Sequence, residues 1–102
     1  MTLLTPELEQ SIPLLYATED TPLENKMVYA KFFTPDANWT WYVTEYDPTE
    51  RLCFGYVIGH ENEWGYFSLH ELESVRGPFG LEIERDIHFR PIVFSELQKE
   101  LL

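Results

Sequence analysis

The stretch Asn38-Trp39-Thr40-Trp41-Tyr42-Val43-Thr44-Glu45-Tyr46 decides the fold. Aromatic and β-branched side chains fill it, and such residues suit a pleated, half-buried surface. Read with period two, Trp39, Trp41 and Val43 share one face, while Tyr42 and Tyr46 lie on the other. Turns bound it on both sides. In Thr34-Pro35-Asp36-Ala37 the proline sets φ and the aspartate can bond its own backbone; Asp47-Pro48-Thr49-Glu50 repeats that chemistry.

Beyond the turns lie further strands. Residues 27–33 place Val28, Ala30 and Phe32 on one face. Leu52–Ile58 alternates Leu52, Phe54, Tyr56 and Ile58 against Cys53, Gly55 and Val57, and Gly55 suggests a bulge or a close neighbour. Residues 64–67 form a short fourth strand. Connections this short make an antiparallel meander the simplest topology. Residues 81–89 also alternate, with Leu81, Ile83, Ile87 and Phe89 on one side and Glu82, Glu84, Asp86 and His88 on the other. That pattern predicts a one-sided strand with an acidic outer face.

Helices punctuate the strands. Thr5-Pro6 is a cap followed by a proline at the first helical position, and Pro13 ends that helix early. Ser68 and Glu71 have capping-box spacing, Leu69, Leu72 and Val75 form a helical stripe, and Gly77 fits the position just past the end. Ser95 and Gln98 repeat the box before a short terminal helix. The expected fold class is α+β, a single domain over residues 1–102. It is a twisted antiparallel sheet of four to five strands with short N-terminal, middle and C-terminal helices.

Composition narrows the function classes. Seven Lys and Arg face eighteen Asp and Glu, a net charge of −11. Such a surface repels phosphate backbones and anionic membranes and attracts basic proteins, although the same charge also serves solubility. No apolar run approaches the roughly 18 residues of a membrane span, and no stretch reads as a signal peptide. One cysteine, Cys53, leaves no intramolecular disulfide and fits a reducing, cytoplasmic setting.

Specific chemistry is thinly supported. His60, His70 and His88 lack a metal-ligand spacing. Cys53 lies in a strand and reads as an inert buried thiol. The glycines of Arg76-Gly77-Pro78-Phe79-Gly80 lack the Lys-Ser/Thr of a phosphate loop. Aromatics on strands could stack single-stranded nucleic acid, but only Lys31 and Arg51 lie nearby to meet phosphates.

The residues together carry a resemblance. Leu4-Thr5-Pro6-Glu7 with Ile12-Pro13-Leu14-Leu15-Tyr16, then residues 31–42, then Glu63-Trp64-Gly65-Tyr66-Phe67-Ser68-Leu69, and Arg76-Gly77-Pro78-Phe79-Gly80-Leu81 resemble the bacterial family DUF2958, a domain of unknown function. The resemblance spans nearly the whole chain. It implies a small stand-alone bacterial protein of the kind often carried by plasmids, integrative elements or phage, and it brings no activity and no catalytic residues.

The expected function is that of an acidic, non-enzymatic interaction protein, a mobile-element accessory or anti-defence factor that binds a basic protein surface. A single-stranded nucleic-acid binder and a small enzyme are the alternatives. Glu82, Glu84 and Asp86 are the leading interaction residues, helped by Glu45, Asp47 and Glu50. Asp36, Asn38 and Arg76 are the second choice, where polar groups flank the aromatic strand. No cofactor, metal or catalytic residue is assigned, and the oligomeric state is left open.

Overall fold

The computed structural model of the protein describes residues 2–102. Thr5 accepts a hydrogen bond from the Leu8 N–H at 3.2 Å and opens α1 (Pro6–Ser11), which stops short of Pro13. A 3-10 turn at Leu23–Asn25 leads into β1 (Met27–Val28) and β2 (Ala30–Phe33). Then come β3 (Thr40–Asp47), β4 (Leu52–Ile58), β5 (Asn62–Ser68) and α2 (Leu69–Ser74). The chain closes with β6 (Glu84–Arg85), β7 (Ile92–Val93) and α3 (Phe94–Leu101). The main sheet is antiparallel in the order β5-β4-β3-β2-β6, and β1 and β7 pair in a separate ribbon. The meander of β2 to β5 and the α+β class are as expected from the sequence.

Both faces of the sheet carry a core. On one, Phe32, Trp41, Val43, Cys53 and Phe67 pack against Leu3, Leu4, Ile12, Leu69, Leu72 and Ile83. On the other, Val28 and Tyr42 pack with Phe94 and Leu97 of α3, flanked by Tyr56, Trp64 and Phe89. Trp39 is half-buried and stacks on Trp41, with ring centroids 5.9 Å apart. Gly55 has the close neighbour its identity suggested: a Cβ there would stand 1.7 Å from the Tyr42 carbonyl oxygen.

Four local expectations change. First, the register of β3 on β4 shifts between Val43 and Glu45. Thr44 is the extra residue, and its hydroxyl donates to the Phe54 carbonyl at 2.9 Å. A bulge of this kind reverses which way later side chains point. Tyr46 therefore joins the Val43 and Cys53 core instead of lying with Tyr42, and Glu45 comes opposite Phe54.

Second, residues 27–33 do not form one strand. They divide at Tyr29, because Met27 and Val28 pair with β7 while Ala30 to Phe33 pair with β3. Third, residues 81–89 pair with β2 only at Glu84 and Arg85. The chain then turns where the Asp86 carboxylate accepts the His88 N–H at 2.9 Å, leaving Leu81 and Ile87 exposed. Arg85, on the side opposite Glu84 and Asp86, reaches inward to the Leu3 carbonyl at 2.8 Å.

Fourth, two helix ends differ. α3 begins at Phe94, whose N–H donates to the Lys26 carbonyl at 2.8 Å, so Ser95 and Gln98 do not form its cap. α2 ends at Ser74, and Gly77 has another role: a Cβ there would stand 1.7 Å from Asp36 Oδ1. The left-handed glycine of that loop is Gly80, at φ 82°.

The α2 start forms as expected, with Ser68 Oγ accepting the Glu71 N–H at 3.2 Å. Ser68→Ala is expected to destabilise the protein by about 0.5–2 kcal/mol. A urea melt checks this, and a midpoint unchanged from wild type would show that the cap adds nothing.

Candidate functional site

The bulge in β3 creates the most unusual feature of the molecule. It turns Glu45 off the Val43 face and into a polar cluster where it is 3% exposed. Glu45 Oε1 accepts the Tyr16 N–H at 2.8 Å, and Oε2 accepts the Thr18 N–H at 3.2 Å and the Thr18 hydroxyl. The Lys26 ammonium, also buried, reaches Oε2 at 3.3 Å and donates to the Thr18 carbonyl at 2.6 Å. Burial alone would raise the Glu45 pKa. The Thr18 hydroxyl, the Tyr16 N–H and the Lys26 charge outweigh it and hold the carboxyl below its ordinary value.

This cluster clamps the 13–18 segment to the sheet. The Pro13 carbonyl accepts the Tyr46 N–H at 2.9 Å, and Leu14 bridges to Tyr46. Tyr16 is held in the left-handed region at φ 70°, a conformation that a bulky residue adopts only when its surroundings impose it. Its ring is thereby presented at the surface, 58% exposed, beside Tyr66 on the outer strand β5. The two ring centroids are 6.4 Å apart. The Tyr16 side chain beside it raises the Tyr66 pKa, with smaller contributions from desolvation and from the Glu45 and Glu19 carboxylates.

Tyr16, Glu19, Leu23, Lys26, Phe54 and Tyr66 line a cleft of about 360 Å³. Phe54 packs on Tyr66 at 5.0 Å, and the Lys26 ammonium lies 5.9 Å from the Phe54 ring centroid. Tyrosine faces, an apolar base and a carboxylate rim can hold a cationic side chain. The periodicity of the sequence does not reveal this site. Lys26 stands one residue before the strand expected over residues 27–33 and belongs to no pattern there. A glutamate inside an aromatic strand was the available signal, since a charge there demands a bulge or a partner.

Of the residues singled out from the sequence, only Glu45 belongs to this site. Glu82 pairs with Arg76 at 3.3 Å and Asp86 with Lys31 at 3.8 Å, while Glu84 is exposed. They do not form one continuous acidic row. Glu45 is internal, and Asp47 caps its own turn by accepting the Thr49 N–H at 2.9 Å. Asp36 latches the 76–82 loop, its Oδ2 accepting the Phe79 N–H at 2.8 Å. Arg76 begins that loop but turns to Glu82 and the end of α2, and Asn38 is exposed on the turn before β3.

The remaining chemistry-bearing residues are dispersed. His60 packs edge-on to Trp39 at 5.3 Å, His70 is exposed on α2, and His88 borders a different cleft. Among the described residues no three His, Cys, Asp or Glu side chains converge as a metal would require. Cys53 is fully buried, and burial pushes its thiol up to about 12, away from the reactive thiolate. The cleft beside α3 is larger, about 530 Å³, but Lys31, Arg90, Asp86 and Glu100 give it mixed charge. No helix among the described residues is long and apolar enough to cross a membrane.

A family model described as a protein of unknown function (DUF2958) matches residues 3–96. No curated protein and no solved structure matches the chain.

Proposed function

The chain belongs to the DUF2958 family, and from that premise and its charge distribution we propose that it is a small acidic, non-enzymatic interaction protein whose partner is a basic protein surface. One observation carries the proposal. Lys26, Lys31, Arg51, Arg76 and Lys99 each sit within an ion pair to a carboxylate of the same chain. Five of the seven cations are thus engaged internally, and carboxylates remain in surplus. A field of one sign steers an oppositely charged partner and is screened by salt. A mobile-element accessory or anti-defence role in the cytoplasm accords with this behaviour.

The test is capture by the immobilised protein from its source cells, followed by kinetics with the purified partner. The expected partner has a basic surface, and its association rate falls as salt rises. A captured partner that is neutral or acidic, or a rate indifferent to salt, would overturn the proposal.

The nucleic-acid alternative needs an open aromatic platform with cations beside it. Trp41, Tyr42 and Tyr46 are instead buried in the two cores. Fluorescence anisotropy at low salt is expected to show no binding of labelled single-stranded or duplex DNA at micromolar protein, since no counterion release drives it. Micromolar binding that weakens steeply with salt would restore the alternative.

A further inference from the structure

We propose that the cleft between Tyr16 and Tyr66 receives an arginine side chain from an extended segment of the protein partner, laid along the outer strand β5. The proposal rests on the acidic-interaction reading and names where and how the partner is held. Three independent features meet at this place.

The first is the aromatic pair. Tyr16 and Tyr66 are each more than half exposed although both are large and apolar over most of their surface. Exposed rings grouped around a concavity are the usual anchors of an interface. A planar guanidinium stacks on such rings and still donates hydrogen bonds at its edge, which a lysine ammonium does less well.

The second is charge. Of the two lining carboxylates, Glu45 is matched by Lys26, while Glu19 on the rim has no cation paired with it among the described residues. The cleft therefore carries a residual negative charge, complementary to one guanidinium. Asp20 and Glu24, exposed in the same loop, extend that charge along the approach.

The third is the strand edge. β5 is an outer strand of the sheet, seven residues long, hydrogen-bonded to β4 on its inner side. Gly65, next to Tyr66, has open space where a Cβ would point. A peptide added to this edge sends alternate side chains to the Tyr66 face, so one of them meets the cleft. Because the Glu45–Lys26 cluster already holds Tyr16 in place, little ordering is needed on binding.

The test uses a short extended peptide of alternating threonine and arginine, and the same peptide with citrulline, which keeps the shape and removes the charge. Amide shifts are followed by NMR and affinity by calorimetry. The expected result is shifts along residues 62–68 and 16–24, with binding lost on citrulline replacement. Tyr66→Ala is expected to weaken binding about tenfold, the scale of a desolvated cation–aromatic contact. Glu19→Gln is expected to weaken it about threefold and to flatten its salt dependence. Glu19→Gln should melt as wild type, and Tyr66→Ala, which loses its packing on Phe54, should melt lower but remain folded at the temperature of the binding measurement; the remote Glu84→Gln should bind as wild type.

Equal binding of the citrulline peptide, shifts confined to other surfaces, no binding, or a folded Tyr66→Ala of unchanged affinity would each overturn the proposal. Salt-sensitive binding of the arginine peptide elsewhere on the molecule would overturn it while leaving the acidic-interaction reading standing.

Discussion

Trp41→Ala is expected to cost about 3–5 kcal/mol, enough to leave much of a domain this size unfolded. Trp41 pairs with Phe32 on one side and Val57 on the other, in the central strand, and is 8% exposed. Its removal empties the middle of the core and takes away the ring on which Trp39 stacks. Neighbours on paired strands cannot close such a space without breaking the register, so the cavity persists. Thermal unfolding followed by circular dichroism reads the effect. A melting curve equal to wild type would mean that Trp41 does not support the core. Trp39→Ala is expected to cost less, because Trp39 is only half-buried and lies over Gly59 at the sheet end.

The second large effect concerns the buried ion pair. Lys26→Met leaves the nearly buried Glu45 carboxylate without its counter-charge and removes one of two donors to the Thr18 carbonyl, the Thr21 N–H at 2.9 Å remaining. Breaking a buried pair from one side costs about 3–5 kcal/mol, because an uncompensated charge remains. The pH dependence gives a second readout. The folded Glu45 carboxyl lies below its ordinary 4.5, so its contribution is fully present above about that pH. It is lost as pH falls through the folded value. Glu73, likewise lowered against burial by Arg51 and the Leu3 N–H, adds a loss of the same sign.

Wild type should therefore hold its stability at neutral pH and lose it in acid. The deficit of Lys26→Met should shrink in acid, where a protonated Glu45 no longer needs the ammonium. Urea midpoints at neutral pH and below 4.5 check both statements. An equal deficit at the two pH values would show that Lys26 acts only through its packing and its bond to Thr18.

Much of the fold was legible because its signals are local. A proline after a threonine opens α1, a serine three residues before a glutamate opens α2, and turn residues separate strands rich in aromatic and β-branched side chains. Neighbouring strands joined by short connections pair antiparallel almost by default. Length, composition and local pattern thus determined the α+β class, the four-strand meander and the placement of Trp41 inside.

What the tertiary structure alone decided turns on register and distant partners. Nothing in Val43-Thr44-Glu45 announces which residue will be skipped, since a bulge depends on how β3 lies against β4. Yet that one residue sends Tyr46 to one core and Glu45 to the opposite face. The acidic alternation of residues 81–89 is real in the sequence, but Glu82 finds Arg76 and Asp86 finds Lys31, so two of its carboxylates are already paired. The cleft is assembled from Tyr16, Lys26, Phe54 and Tyr66, which no periodicity connects. A period reports which side of its own element a residue takes, and only the packed chain determines what stands opposite it.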